Sequence, residues 1–132
     1  MPPNTVTFEF DEKRNILFTE DHFELNGPQD IDEFIKVNID ELERLGRRVY
    51  VISKIDDLHI RAEVTDYYGQ RARGVFEKYV IAFARYGENP LSRMSVRTSA
   101  RKSKLESNIY NTRQEAIAAI EKLQQQQEGS AS

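Results

Sequence analysis

Two short apolar runs, Val49-Tyr50-Val51-Ile52 and Val80-Ile81-Ala82-Phe83-Ala84, do most to limit what this chain can fold into. A continuous run of this kind is the pattern of a strand covered on both faces, and the first should lie at the centre of a sheet. Amphipathic segments surround these runs. Ile31, Phe34, Ile35, Ile39, Leu42 and Leu45 recur at spacings of three to four and predict a helix ending at Gly46. Residues 58–78, with Ala62, Tyr68, Ala72 and Phe76, predict a second helix with an irregular end, Gly69 and Gly74 weakening the pattern. A third follows the Asn89-Pro90 break, where Leu91, Met94, Thr98 and Leu105 offer a moderately apolar face.

Upstream, Val6, Phe8 and Phe10 alternate with Thr7 and Glu9, the period of a half-buried strand. The polar residues 11–15 turn the chain into a second strand that begins at Ile16-Leu17-Phe18 and extends toward Leu25, giving an N-terminal hairpin. Downstream, Asn108-Ile109-Tyr110 predicts a brief last strand. Thr112 followed three residues later by Glu115 is a capping-box pattern, opening a helix through Ala116, Ile117, Ala119, Ile120 and Leu123. Alternating buried strands and amphipathic helices imply βαβ crossovers. The expected fold is α/β, a hairpin leading into a mostly parallel sheet of four to five strands covered by about four helices. A single domain over residues 5–123 is expected, between an N-terminal tail at 1–4 and a flexible polar tail at 124–132.

Composition narrows the chemistry. No apolar run approaches the ~20 residues that cross a bilayer, and the first ten residues have neither the basic start nor the apolar core of a secretory signal. A cytoplasmic address is the expectation. The absence of cysteine removes disulfides, thiolate nucleophiles and sulfur ligands, and His22 and His59 are the only histidines, so structural zinc is excluded and no metal site is expected, although carboxylates could still hold magnesium or calcium weakly. There is no glycine-rich phosphate loop, nucleophile elbow or Lys-Ser/Thr phosphate motif, so neither a cofactor nor an enzyme is expected.

The charge is unevenly spread. Residues 1–66 hold 16 acids against 8 bases, and residues 67–132 hold 6 against 11, a contrast that the net charge of −3 conceals. Arg93, Arg97 and Arg101 recur every four residues and would line one face of the third helix. Such a stripe, with Arg85, Lys102 and Lys104 nearby, suits a phosphate, an acidic lipid head group or an acidic protein face, although charged helix stripes are usually solvated surface. Electrostatics also permits head-to-tail self-association, with the acidic residues 30–43 of one copy against the basic helix of another. Nucleic acid is opposed by a pI of 5.5 and by aromatics that are not interleaved with the bases.

The strand Val49 to Ile55, the Arg85-Tyr86-Gly87 strand end and the closing Ile109-Tyr110-Asn111-Thr112-Arg113-Gln114-Glu115-Ala116 pattern together resemble the SpoIIAA-like branch of the STAS family. The resemblance spans residues 5–123. It implies a small non-enzymatic regulatory or protein-interaction module with a protein partner or a second copy. The family's regulated members carry a serine after an aspartate where the third strand meets the second helix. Here the matching stretch reads Leu58-His59-Ile60-Arg61-Ala62-Glu63, so the resemblance does not extend to a phosphoserine switch.

Ligands of open parallel sheets bind beyond the carboxyl ends of the strands. Those ends supply Ser53, Asp56, Asp57 and His59 after one strand and Arg85 and Tyr86 after the next. With Arg93, Arg97 and Arg101 they form the expected contact surface for a partner. The alternative is a carrier holding a nucleotide, phosphate or lipid head group at the same place. Asp57 and His59 have the spacing of an acid–base pair, but loop aspartates and a surface histidine are the plainer reading. Tyr67, Tyr68, Phe76, Tyr79, Phe83 and Tyr86 read mostly as core, or else as an apolar pocket or dimer patch.

Overall fold

The computed structural model describes residues 4–131, with side chains to Gln127; of the expected tails, residues 1–3 and Ser132 lie outside the described residues. Five strands, β1 (Thr5–Asp11), β2 (Ile16–Leu25), β3 (Val49–Ile60), β4 (Val80–Tyr86) and β5 (Ile109–Tyr110), form one sheet in chain order. The helices are α1 (Pro28–Leu45), α2 (Thr65–Tyr79), α3 (Pro90–Ser103) and α4 (Arg113–Ala131), with a 3₁₀ turn at Ala62–Val64. The sheet is mixed rather than mostly parallel. The hairpin pair β1–β2 is antiparallel and the other three pairs are parallel. Among the described residues no helix is long and apolar enough to cross a membrane.

Each element starts and stops where local chemistry requires. Asp11 closes the hairpin turn by accepting from the backbone N–H and Nε of Arg14, at 3.1 and 2.7 Å. The Asp30 carboxylate accepts from the backbone N–H of Asn26 and Gly27 at the start of α1, which ends at Gly46. Asn89 caps α3 by accepting from Leu91 and Ser92. The Thr112–Glu115 capping box forms as the sequence implies, each side chain accepting from the other's backbone N–H at 3.1 Å.

Strand parity divides the core in two. Leu17, Phe23, Leu25, Val51 and Phe83 face α1, α2 and the Val96 side of α3. Ile16, Phe18, Tyr50, Ile52 and Ala84 face Ala116 and Ile120 of α4, which alone covers the opposite face. The central position expected for the strand at Val49 is correct, but that strand is longer than the apolar run suggests. It continues through Ile60, so residues 58–60 belong to the sheet and the second helix begins at Thr65. The glutamines after Leu123 likewise continue α4: Gln124 Nε2 donates to the Arg14 carbonyl at 2.6 Å, and the Tyr50 hydroxyl donates to Gln127.

Gly69, which makes α2 look weak in the sequence, is there because α3 passes over it. A Cβ at this position would lie 2.4 Å from the Ser99 carbonyl oxygen and 3.2 Å from Ser103. Gly74, one and a half turns on, faces open space. In urea denaturation, Gly69→Ala is therefore expected to lose about 1–3 kcal/mol through forced separation of the two helices. Gly74→Ala should gain about 0.4–1 kcal/mol by restricting the unfolded chain.

Candidate functional site

The inward-facing positions of the three central strands carry a polar row through an otherwise apolar core. Thr19 pairs in register with Ser53, and Ser53 with Arg85, so the three side chains sit side by side across β2, β3 and β4. The Thr19 hydroxyl lies 2.7 Å from Ser53 Oγ and 3.3 Å from Asp21 Oδ1. Tyr68 of α2 closes the group from above, and together these residues form the polar end of a cavity of about 50 Å³ between the sheet and the α1–α2 layer.

Arg85 is only 4% exposed. Its guanidinium carbon lies 4.8 Å from the Phe83 ring centre and 5.4 Å from that of Phe76, and Nη1 donates to the Ser107 carbonyl at 2.9 Å. The aromatic faces and the carbonyl replace part of the lost hydration. Asp21 is fully enclosed, and burial pushes its carboxyl up to about 7, against the opposing pull of Arg85, the Thr19 hydroxyl and His22. The Tyr68 hydroxyl is also raised, again mainly by burial, with Arg85 acting against it.

Ser53 and Arg85 are thus brought together, and the other expected site residues lie elsewhere. Between Glu20 and His22 of β2 the partner strand advances three residues, from Lys54 to Asp57, so β3 carries a bulge. Beside it, Asp56 accepts from the backbone N–H of Glu88 and Asn89 at 2.7 and 2.9 Å, fastening β3 to the β4–α3 loop. A Cβ on Gly87 would meet this carboxylate at 3.1 Å, and Gly87 has φ +158°. Asp57 instead turns to the outer sheet face, where His22 Nδ1 and His59 Nε2 approach its two oxygens at 2.9 and 3.2 Å. Hydrogen bonding from His22 leads the causes that hold its carboxyl below the ordinary value. Asp57 and His59 converge, but on an exposed face: the Asp57 side chain is 60% accessible. Tyr86 packs at the edge of the α4 core.

The arginine stripe divides. Arg93 Nη1 donates to the carbonyls of Gly87 and Tyr110, at 2.8 and 3.1 Å, and so ties α3 to the short edge strand. Arg97 and Arg101 are exposed, with no ion pair among the described residues. A different stripe of α3, through Leu91, Met94, Thr98 and Lys102, borders an open groove of about 550 Å³. Its opposite wall is the end of β3 and the start of α2, including His59, Arg61 and Thr65. Leu91 and Met94 are 66% and 56% exposed, and Lys102 Nζ donates to Thr65 Oγ1 at 2.9 Å across the floor. Among the described residues no group of histidine and carboxylate side chains could hold a metal ion.

Thr19, Asp21 and Tyr68 are absent from the sequence-based set. The parity of β2 carries the missing signal for the first two: Leu17, Phe23 and Leu25 fix the inward positions, and residues 19 and 21 share them.

Asp21 sets a pH dependence of stability. Between the carboxylate's unfolded value, ~3.9, and its folded value of about 7, the native protein holds a proton that the unfolded chain has released. Stability therefore falls as pH rises across that window, by on the order of 4 kcal/mol for a shift of this size. Asp21→Asn should remove this slope in urea melts between pH 4 and 8; a slope as steep as in the wild type would exclude Asp21 as its source. In comparisons with known proteins, no family model, no curated protein and no solved structure matches this chain.

Proposed function

We propose that the protein is a non-enzymatic interaction module, of the regulatory kind that its resemblance to SpoIIAA-like STAS proteins implies, and that it engages its partner through the α3 groove. The observation that carries this reading is the exposure of Leu91 and Met94 side by side on the groove's rim. Two large apolar side chains held in water beside a concave surface are a common feature of docking sites. Arg61 and Lys102 border the same groove against a single carboxylate, Glu24, and Arg97 and Arg101 lie further round α3. The complementary partner is an acidic protein segment with apolar side chains spaced to meet residues 91 and 94. Charge would speed the encounter and the apolar contacts would retain it.

The groove also supports a second reading, because its volume lies within the range of small-molecule pockets. In that case the protein is a carrier for an anionic ligand, with Lys102 as its charge partner.

The double substitution Leu91→Glu/Met94→Glu separates the two. Both positions are exposed, so its urea midpoint should stay near that of the wild type. A partner retained by the immobilised wild-type protein should be lost by the double variant, with affinity falling at least tenfold. Retention of the same partner with unchanged affinity would remove the groove from consideration. A small anion found by native mass spectrometry on the wild type and lost from Lys102→Ala would instead establish the carrier.

A further inference from the structure

The cavity beneath α1 and α2 has no part in the groove reading, yet it contains the most costly groups in the molecule. We propose that this cavity is a binding site for a small oxyanion of the size of acetate or bicarbonate, held by the Arg85 guanidinium and the hydroxyls of Ser53 and Tyr68.

The donor set comes first. Arg85 lines the cavity with its charge buried; of its five N–H groups, Nη1 donates to the Ser107 carbonyl and a second hydrogen bond goes to the Tyr68 hydroxyl, which leaves donors for a ligand. Asp21 acts on it through charge, but no ion pair within 4.0 Å joins them among the described residues. A planar guanidinium fork matches the two oxygens of a carboxylate, which a spherical halide does not. The hydroxyls of Ser53 and Tyr68 lie at the same end of the cavity and can donate to the same anion, while Thr19 donates to Ser53 Oγ at 2.7 Å and so orients it.

Size and charge then restrict the ligand. A cavity of about 50 Å³ is roughly a third of one that holds benzene, which leaves room for about four non-hydrogen atoms. Apart from Asn38 on α1, the other walls are apolar, with Leu17, Val51 and Val75 among them. One guanidinium offsets one negative charge, so a monoanion fits where a phosphate dianion would be left uncompensated.

Asp21 supplies the coupling. A bound anion and an ionised Asp21 would compete for the same guanidinium, so binding requires Asp21 to hold its proton, and the resulting O–H can donate to the anion. The charged and titratable groups around Asp21 are Arg85 from β4, Tyr68 from α2 and His22 beside it on β2, whose ring turns to Asp57 on the outer face. The α1 wall, with Phe34, Ile35, Asn38 and Leu42, and the β3 wall, with Val51 and Ser53, contribute no titratable group. Anion binding should accordingly be accompanied by proton uptake and weaken as pH rises.

Calorimetry and melting temperatures with sodium acetate, against sodium chloride at equal ionic strength, test this at pH 6 and pH 8. Acetate should stabilise the wild type beyond chloride, with affinity about tenfold lower at pH 8 than at pH 6. Asp21→Asn should bind acetate equally at both pH values, and about tenfold more tightly than the wild type at pH 8. Ser53→Ala should weaken binding several-fold, providing a test that does not require Arg85 to be removed from the core. Acetate and chloride acting alike on both the wild type and Asp21→Asn would mean that the cavity holds water alone. Weaker acetate binding by Asp21→Asn than by the wild type would equally overturn the proposal.

Discussion

A guanidinium placed in the middle of a hydrophobic core dictates what its neighbours must be. Arg85 lies on β4, next to the central strand, where an uncompensated charge would cost more than a small domain can spare. Its surroundings are organised around that cost. Phe83 and Phe76 stack on each other with ring centres 4.1 Å apart and offer their faces to the cation. Ser107 gives a carbonyl from the segment leading to β5, so the edge strand is fastened through the same side chain. Ser53 and Thr19 carry the polar row across the sheet, and Tyr68 brings a hydroxyl down from α2. The α1–α2 layer thus covers a sheet surface that is apolar around a polar centre, whereas on the α4 side the core of Ile16, Phe18, Ile52, Ala116 and Ile120 is apolar and the polar contacts of Gln124 and Gln127 lie toward the end of the helix.

The fold was largely legible in the sequence because its periodicities are strong. The hairpin, the central strand, α1 and the capping box at Thr112 all follow from local patterns. The misreadings have identifiable causes. Residues 58–60 look helical because Leu58 and Ile60 alternate only briefly, and the bulge at residues 55–56 shifts the parity just before them. The Gln124–Gln127 stretch looks like a tail because its binding partners, the Arg14 carbonyl and the Tyr50 hydroxyl, are over seventy residues away in the chain. Tyr68 could not be assigned to the polar row by any local rule, since its role depends on how α2 lies across the sheet. Thr19 and Asp21 were accessible to parity reasoning.

The polarity of charge along the chain also acquires a structural meaning. Part of the acidity of α1 is spent within the molecule: the hydroxyls of Tyr67 and Tyr79 on α2 donate to Asp32 and Glu43, and Lys36 and Arg44 pair with Asp40 and Glu41 along the helix. Exposed pairs of this kind contribute little stability, but they reduce the charge that α1 can present to a partner. The basic residues of α3 are less fully engaged. Arg93 serves the architecture, while Arg97 and Arg101 face solvent, so α3 keeps an exposed positive stripe after folding.

The attachments of α3 have a further consequence for motion. Its first two turns are tied to β3 by the Asn89 cap, by Ser92 Oγ donating to the Asp56 carbonyl and by Ser95 Oγ approaching that of Ile60. Its middle is pressed against Gly69, and near its end Lys102 reaches Thr65. A helix held at so many points along its length behaves as a fixed rail. A molecule docking at the proposed groove would meet a wall already in its final position, so recognition there would proceed by collision and fit rather than by rearrangement of the helix.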